Sequence, residues 1–149
     1  MKLKNNIHPA FAEIMKQLSE DEIKILKYMA KSHSIPTISI TFENLDNEQI
    51  DVLWNFSILP ELSGCARISD RDLYMENLIR LGLIRKSRPG QKLADKEKYT
   101  ELKQHPHIVE YSSERMLELY NCSKCIVEEG FVDLSVIGKN LCAACLDIF

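Results

Sequence analysis

The sequence predicts a mainly helical α+β fold, a winged-helix-like single domain over residues 1–149 with a small antiparallel sheet. Three observations predict it. Apolar residues recur at helical spacing in separated segments, Thr37–Phe42 alternates with a period of two, and Gly and Pro punctuate the chain between them. A length of 149 residues with 45% hydrophobic side chains is enough to fill one core without disulfides or a cofactor. Nineteen Lys plus Arg against 22 Asp plus Glu leave a net charge of −3, which excludes a protein coated uniformly in basic charge.

Phe11, Ile14, Met15 and Leu18 lie on one face of a short helix from Pro9 to about Leu18, with Pro9 in its first turn. A second helix follows, in which Ser19 and Glu22 make a capping box. Glu20 and Asp21 suit its positive start, and Ile23, Leu26, Met29 and Ala30 form its buried stripe. Ile38, Ile40 and Phe42 then alternate with hydroxylated residues, as in a half-buried strand. Ile50, Leu53 and Trp54 suggest a short helix, and Pro60 and Gly64 mark a loop holding Cys65.

Ser69 and Asp72 form a second cap-like pair before Leu73, Met75, Leu78, Ile79 and Leu81, with Gly82 placed to end this helix in a left-handed residue. Leu83–Lys86 reads as a strand, and Pro89-Gly90 as a turn before a returning strand at Lys98–Leu102. Ser113 caps a helix carrying Met116, Leu117 and Tyr120. Ile126-Val127 and Phe131–Leu134 flank Glu128-Glu129-Gly130 as a hairpin. Ser135 caps a last helix with Ile137, Leu141, Ala144, Cys145 and Ile148 on one side, and Gly138 is its weak point.

A helix over 20–31, a helix over 70–81, a strand over 83–86, a basic turn-rich stretch, a hairpin and a closing helix follow the order of a winged helix. In that order the helix from Ser69 to Leu81 is the recognition helix and the segment after it the wing. From Cys65 to Lys98 nine basic residues face five acidic ones, so this stretch carries +4 and the remainder −7. Arg71, Arg80, Arg85, Lys86 and Arg88 are the candidate phosphate contacts. A solvated helix face and loop is the commoner arrangement of such charge, and Asp70, Asp72 and Glu76 would repel a phosphate there.

The cysteines at Cys122, Cys125, Cys142 and Cys145 make two C-x2-C pairs sixteen residues apart, a spacing that reads as a four-thiolate structural zinc site. The alternative is ordinary buried thiols. It is favoured because Cys142 and Cys145 sit inside a predicted helix, with Cys145 on its apolar stripe. A redox pair lacks its strand-then-helix setting. His105-Pro106-His107 reads as a surface loop, and no phosphate loop, nucleophile elbow or His-Glu-x-x-His pattern is present. Phe42, Trp54 and Phe56 are expected in the core rather than on a partner surface.

His8–Ile14, Leu18-Ser19 through Glu22–Leu26, Glu76–Leu78 to Leu81–Ile84, and the tail Val132–Lys139 to Ala144-Cys145 resemble the abortive-infection alpha (Abi-alpha) family. The family's usual further sequence before the His-Pro-Ala-Phe segment implies that this chain is either an excerpt, the C-terminal part of a longer protein, or a short relative. The resemblance implies a bacterial phage-resistance role and carries no catalytic residues. The expectation is therefore a non-enzymatic protein without a required cofactor, acting through a protein partner. The alternative is a winged-helix nucleic-acid-binding regulator with structural zinc. No apolar run reaches the roughly 18–20 residues of a membrane span, and Met1–Asn6 lacks the apolar region of a secretory signal, so a cytoplasmic location is expected.

Overall fold

The computed structural model describes residues 7–147, so Ile148 and the Met1–Asn6 start lie outside the described residues. Along the chain run α1 (Pro9–Lys16), α2 (Glu20–Ala30), β1 (Ile35–Glu43), β2 (Gln49–Phe56), α3 (Leu59–Ser63), a 3-10 turn (Ile68–Asp70), α4 (Arg71–Arg80) and β3 (Ile84–Lys86). Then come α5 (Lys96–Leu102), α6 (Pro106–Tyr111), α7 (Glu114–Leu119), β4 (Lys124–Leu134) and α8 (Val136–Cys145). The fold is α+β, with one four-stranded sheet in the order β2-β1-β4-β3. Backbone contacts divide the chain into two compact units, one holding residues up to 35, 58–86 and 132 onward, the other 36–57 and 87–131. Among the described residues no helix is long and apolar enough to cross a membrane.

The first unit is built on α2, α4 and α8, which share one apolar interior: Leu26, Leu78, Leu83, Leu141 and Cys142 are each no more than 1% exposed. The Ser19 capping box forms as the residue types require. The Ser19 N–H donates to Glu22 Oε1 at 2.9 Å, and the Glu22 N–H donates to Ser19 Oγ at 3.2 Å. Asp21, buried in the same turn, accepts from the Ala66 and Arg67 N–H groups at 2.9 Å each and from the Tyr74 hydroxyl at 2.7 Å. These bonds tie the start of α2 to α4 and the turn before it.

Three sequence expectations in this unit shift. Leu73 is 62% exposed, because α4 buries Tyr74, Met75 and Leu78 instead, a face rotated by one residue that lets Tyr74 reach Asp21. Ile137 is 48% exposed, since α8 packs through Gly138, Leu141, Cys142 and Cys145. Ser69 and Asp72 do not cap α4. The 3-10 turn leads into it, and Asp70 stands at the N-cap without a side-chain cap bond. Gly82, at φ +73°, does end the α4 segment left-handed, and β3 pairs antiparallel with β4 through Ile84 opposite Leu134 and Lys86 opposite Val132.

The second unit packs Ile38, Ile40, Phe42 and Phe56 of β1 and β2 as buried residues, and Tyr99, Leu102, Ile108 and Met116 of its helices are buried too. Phe42 meets Tyr120 edge-on at 5.3 Å between ring centroids. The short helix expected around Ile50–Trp54 is strand β2. Its register against β1 slips twice, between Ile38 and Ile40 and again before Thr41. Asn55 lies at φ +48° with its N–H on Ser39 Oγ, so Leu53 and Phe56 are both buried three residues apart and mimic a helical spacing.

The returning strand expected at Lys98–Leu102 is helix α5. Asp95 caps it through the Glu97 N–H at 3.1 Å, and its buried residues, Tyr99 and Leu102, are spaced as one helix face. The expected hairpin at Ile126–Leu134 is the single strand β4. Glu129 accepts from Lys103 at 2.7 Å and Lys92 at 3.3 Å rather than turning the chain. Gly130 is there for close approach: a Cβ on it would stand 2.8 Å from Ser87 Oγ and 3.3 Å from Thr37 Oγ1. His105-Pro106-His107 is likewise no loop, since His105 caps α6 by accepting the His107 N–H at 3.1 Å and Pro106 is its first residue.

Candidate functional site

The five candidate phosphate contacts separate by what holds them. Arg71 is only 10% exposed at its side chain and grips Glu61 with two 2.9 Å contacts, a fork-to-carboxylate pair that joins α3 to α4. Arg80 donates to Asn77 Oδ1 at 2.6 Å and to Gln17 Oε1 at 3.0 Å, securing the end of α1 to α4. The exposed side of α4 carries Asp72, Leu73 and Glu76 beside Arg80, so its solvent face is not a row of cations. Arg85 and Lys86 are exposed on β3, where successive side chains leave opposite faces of the sheet. Arg88 is exposed in the second unit, its N–H on Gln91 Oε1 at 3.0 Å.

Arg85 lines a cavity. An open cleft of about 420 Å³ in the first unit is walled by Met29, Ala30, Ser32, His33, Ser34, Arg85, Asp133, Leu134 and Lys139. Those residues come from the end of α2, from β3, and from the β4–α8 junction. Arg85 and Asp133 are direct partners across the β3/β4 pair and so share a face of the sheet. The Asp133 carboxylate is nonetheless taken by the Ser34 hydroxyl at 2.5 Å. Sequence reasoning missed Asp133, Lys139 and His33. Alternation in Phe131–Leu134, which sends Val132 and Leu134 inward and Asp133 the other way, was the available signal.

The cysteines are distributed rather than gathered. Cys142 and Cys145 are buried in α8, while Cys122 and Cys125 belong to the second unit and are partly exposed. Burial pushes the Cys142 thiol up to about 11, with Cys145 adding to the shift, and burial raises Cys125 as well. Cys65 is pushed up to about 11 by burial and then by the neighbouring Asp21 charge. Thiols held protonated at neutral pH are poor nucleophiles. Among the described residues no group of three or more His, Cys, Asp or Glu side chains is placed to hold a metal ion. His105 and His107 pack against Phe56, with ring centroids 4.8 and 5.7 Å away. Phe42 and Phe56 are core residues and Trp54 is half-buried.

Comparison with known proteins gives two matches. The family model described as abortive infection alpha matches residues 2–145, nearly the whole length and not a C-terminal region alone. Among solved structures, an uncharacterized protein from the hydrocarbon-degrading marine bacterium Alcanivorax borkumensis SK2 is similar, with a TM-score of 0.61 and 13% identity over 95% of this chain and 98% of that one. At that identity the likeness concerns the fold alone. No curated protein matches.

Proposed function

This chain belongs to the abortive infection alpha family, and from that membership we propose that it serves a bacterial phage-resistance response, acting through protein contacts and without catalysing a reaction. The observation that carries the role is the family match across residues 2–145. Binding as the mode of action draws support from the first unit's surface. Leu62, Ile68 and Leu73 are 44%, 40% and 62% exposed on the successive α3, 3-10 turn and α4, large apolar side chains left to solvent on a helical scaffold.

The test is phage challenge of a sensitive bacterial host carrying the gene. Plaque formation should fall, and at high phage load the infected culture should collapse early rather than release progeny. Leu73→Asp should abolish protection while leaving the melting curve in place. Plaquing equal to that of the empty host would overturn the role. Protection undiminished by the Leu73 change would overturn this contact surface.

A second reading, a winged-helix nucleic-acid regulator, is favoured by the element order of the first unit. There α2, α3, α4, β3 and the end of β4 follow one another in an order that resembles a winged helix, with a single residue of β1, Ile35, between the first two helices. Asp72 and Glu76 on the exposed side of α4 weigh against it. A salt series decides: affinity for duplex DNA that falls steeply with rising salt supports this reading, and no binding at low salt removes it.

A further inference from the structure

Arg85 and Lys139 both line the first unit's cleft, and neither has an ion-pair partner among the described residues. Asp133 stands opposite Arg85 in the strand pairing, where an exposed guanidinium and carboxylate would ordinarily neutralise each other. Ser34 draws the carboxylate to itself instead. The cleft thus presents two cations and one carboxylate held by Ser34, with the His33 imidazole among the lining groups and Met29, Ala30 and Leu134 as apolar wall.

The end of α2 also lines this cleft, and the free carbonyls of a helix terminus would repel an anion. Two of them are occupied here. The Tyr28 carbonyl accepts from the Ser32 hydroxyl at 3.0 Å and the Lys31 N–H at 3.1 Å, and the Met29 carbonyl accepts from the Ser32 N–H at 3.2 Å. A volume of about 420 Å³ lies in the lower part of the range of small-molecule sites. A duplex, with its unbroken row of phosphates, would bring an anion against Asp133. A small molecule with an anionic end and a hydrogen-bond-donating end satisfies all three charges at once.

We propose that this cleft binds a small phosphomonoester that also carries a hydroxyl or amino group, its phosphate on Arg85 and Lys139 and that donor on Asp133. The assignment rests on the cleft's geometry and stands or falls independently of the defence role.

The experiment is calorimetric titration of the purified chain with adenosine 5′-monophosphate, inorganic phosphate and adenosine. The monophosphate should bind more tightly than inorganic phosphate, and adenosine should not bind. Arg85→Gln and Lys139→Gln should each weaken the monophosphate by about tenfold or more, whereas Arg80→Gln, away from the cleft lining, should leave it unchanged. Asp133→Ala should weaken the monophosphate relative to inorganic phosphate, because it removes the acceptor that only the ester's donor uses, while the loss of its negative charge favours both anions alike. All four side chains are at least partly exposed, and matched melting curves verify folding. No saturable binding of the monophosphate up to about 10 mM, equal affinity for inorganic phosphate, or affinity indifferent to both cation variants would overturn the proposal.

Discussion

Replacing Gly138 with alanine sets two physical effects against each other, and the structure says which prevails. Gly138 lies in the first turn of α8, where alanine is the better helix former by about 1 kcal/mol. The added Cβ, however, would stand 2.1 Å from the Leu83 carbonyl oxygen, 3.1 Å from its carbonyl carbon and 3.2 Å from Leu134 Cδ2. Carbon and oxygen make ordinary contact at about 3.3 Å, so the helix start and the α4–β3 connection must part by more than about 1 Å. That oxygen also accepts the Ser135 N–H at 2.9 Å, a bond that such a movement breaks. Overpacking of about 1–3 kcal/mol and a lost bond of about 1 kcal/mol outweigh the gain in propensity. The expected net loss is about 2 kcal/mol, or a fall in Tm of about 4–8 °C at this chain length. Thermal unfolding followed by circular dichroism at 222 nm measures it. Asn140→Ala, on the exposed side of the same helix, is the control and should not lower Tm. A Gly138→Ala protein melting at or above the parent would refute the reasoning.

Three further outcomes follow from the same contacts. Ser135→Ala removes the hydroxyl that accepts the Gly138 N–H at 2.9 Å and donates to the Gly82 carbonyl, and should cost about 1–2 kcal/mol in urea unfolding. Asp21 is held down to about 2 chiefly by the Tyr74 hydroxyl and then by the Ala66 and Arg67 N–H groups. A depressed carboxylate contributes stability above its unfolded value of 3.8, and that contribution fades as the pH drops towards 2. Tyr74→Phe should therefore lower stability above pH 3.8 and shrink the part lost between about 3.8 and 2, and Asp21→Asn should flatten this part of the urea-midpoint profile; unchanged profiles would remove Asp21 from the account. Cys65 and Cys142, raised to about 11 and buried, should react with a thiol reagent at pH 8 only as fast as the chain opens, well behind Cys122. Equal rates would contradict their burial.

What the sequence revealed, and what it hid, divides by the range of the responsible interaction. The Ser19–Glu22 capping box, the Ser113 and Ser135 caps and the left-handed Gly82 depend on residues within a few positions of one another, and each forms as its residue types demand. Strand β2 was hidden by two register slips and by Asn55, which break the alternation a strand is recognised by. Helix α5 was hidden because two of its seven residues are buried, leaving little periodicity to read. Glu128-Glu129-Gly130 has the composition of a turn, yet Gly130 answers to Ser87 and Thr37, both distant in sequence. The paired C-x2-C spacing is likewise local information, and it cannot say that one pair lies in the second unit and the other in a buried face of α8.

The cleft shows the same division at the level of a site. Of its charged groups, only Arg85 stood out in the linear sequence, as one cation in a basic stretch; Asp133 and Lys139 follow it by about fifty residues, beyond the insertion that forms the second unit. The segment from Val132 to Lys139 serves both stability and the cleft because strand and helix periodicities alternate its duties. Val132 and Gly138 face the interior, Leu134 is shared between the core and the cleft wall, and Asp133 and Lys139 line the cleft. Core and cleft are thus separable by substitution within eight consecutive residues. Val132→Ala should lower Tm and leave monophosphate affinity in the folded protein intact, whereas Lys139→Gln should do the reverse. If either change moved both quantities together, the cleft would be no more than an indentation of the core.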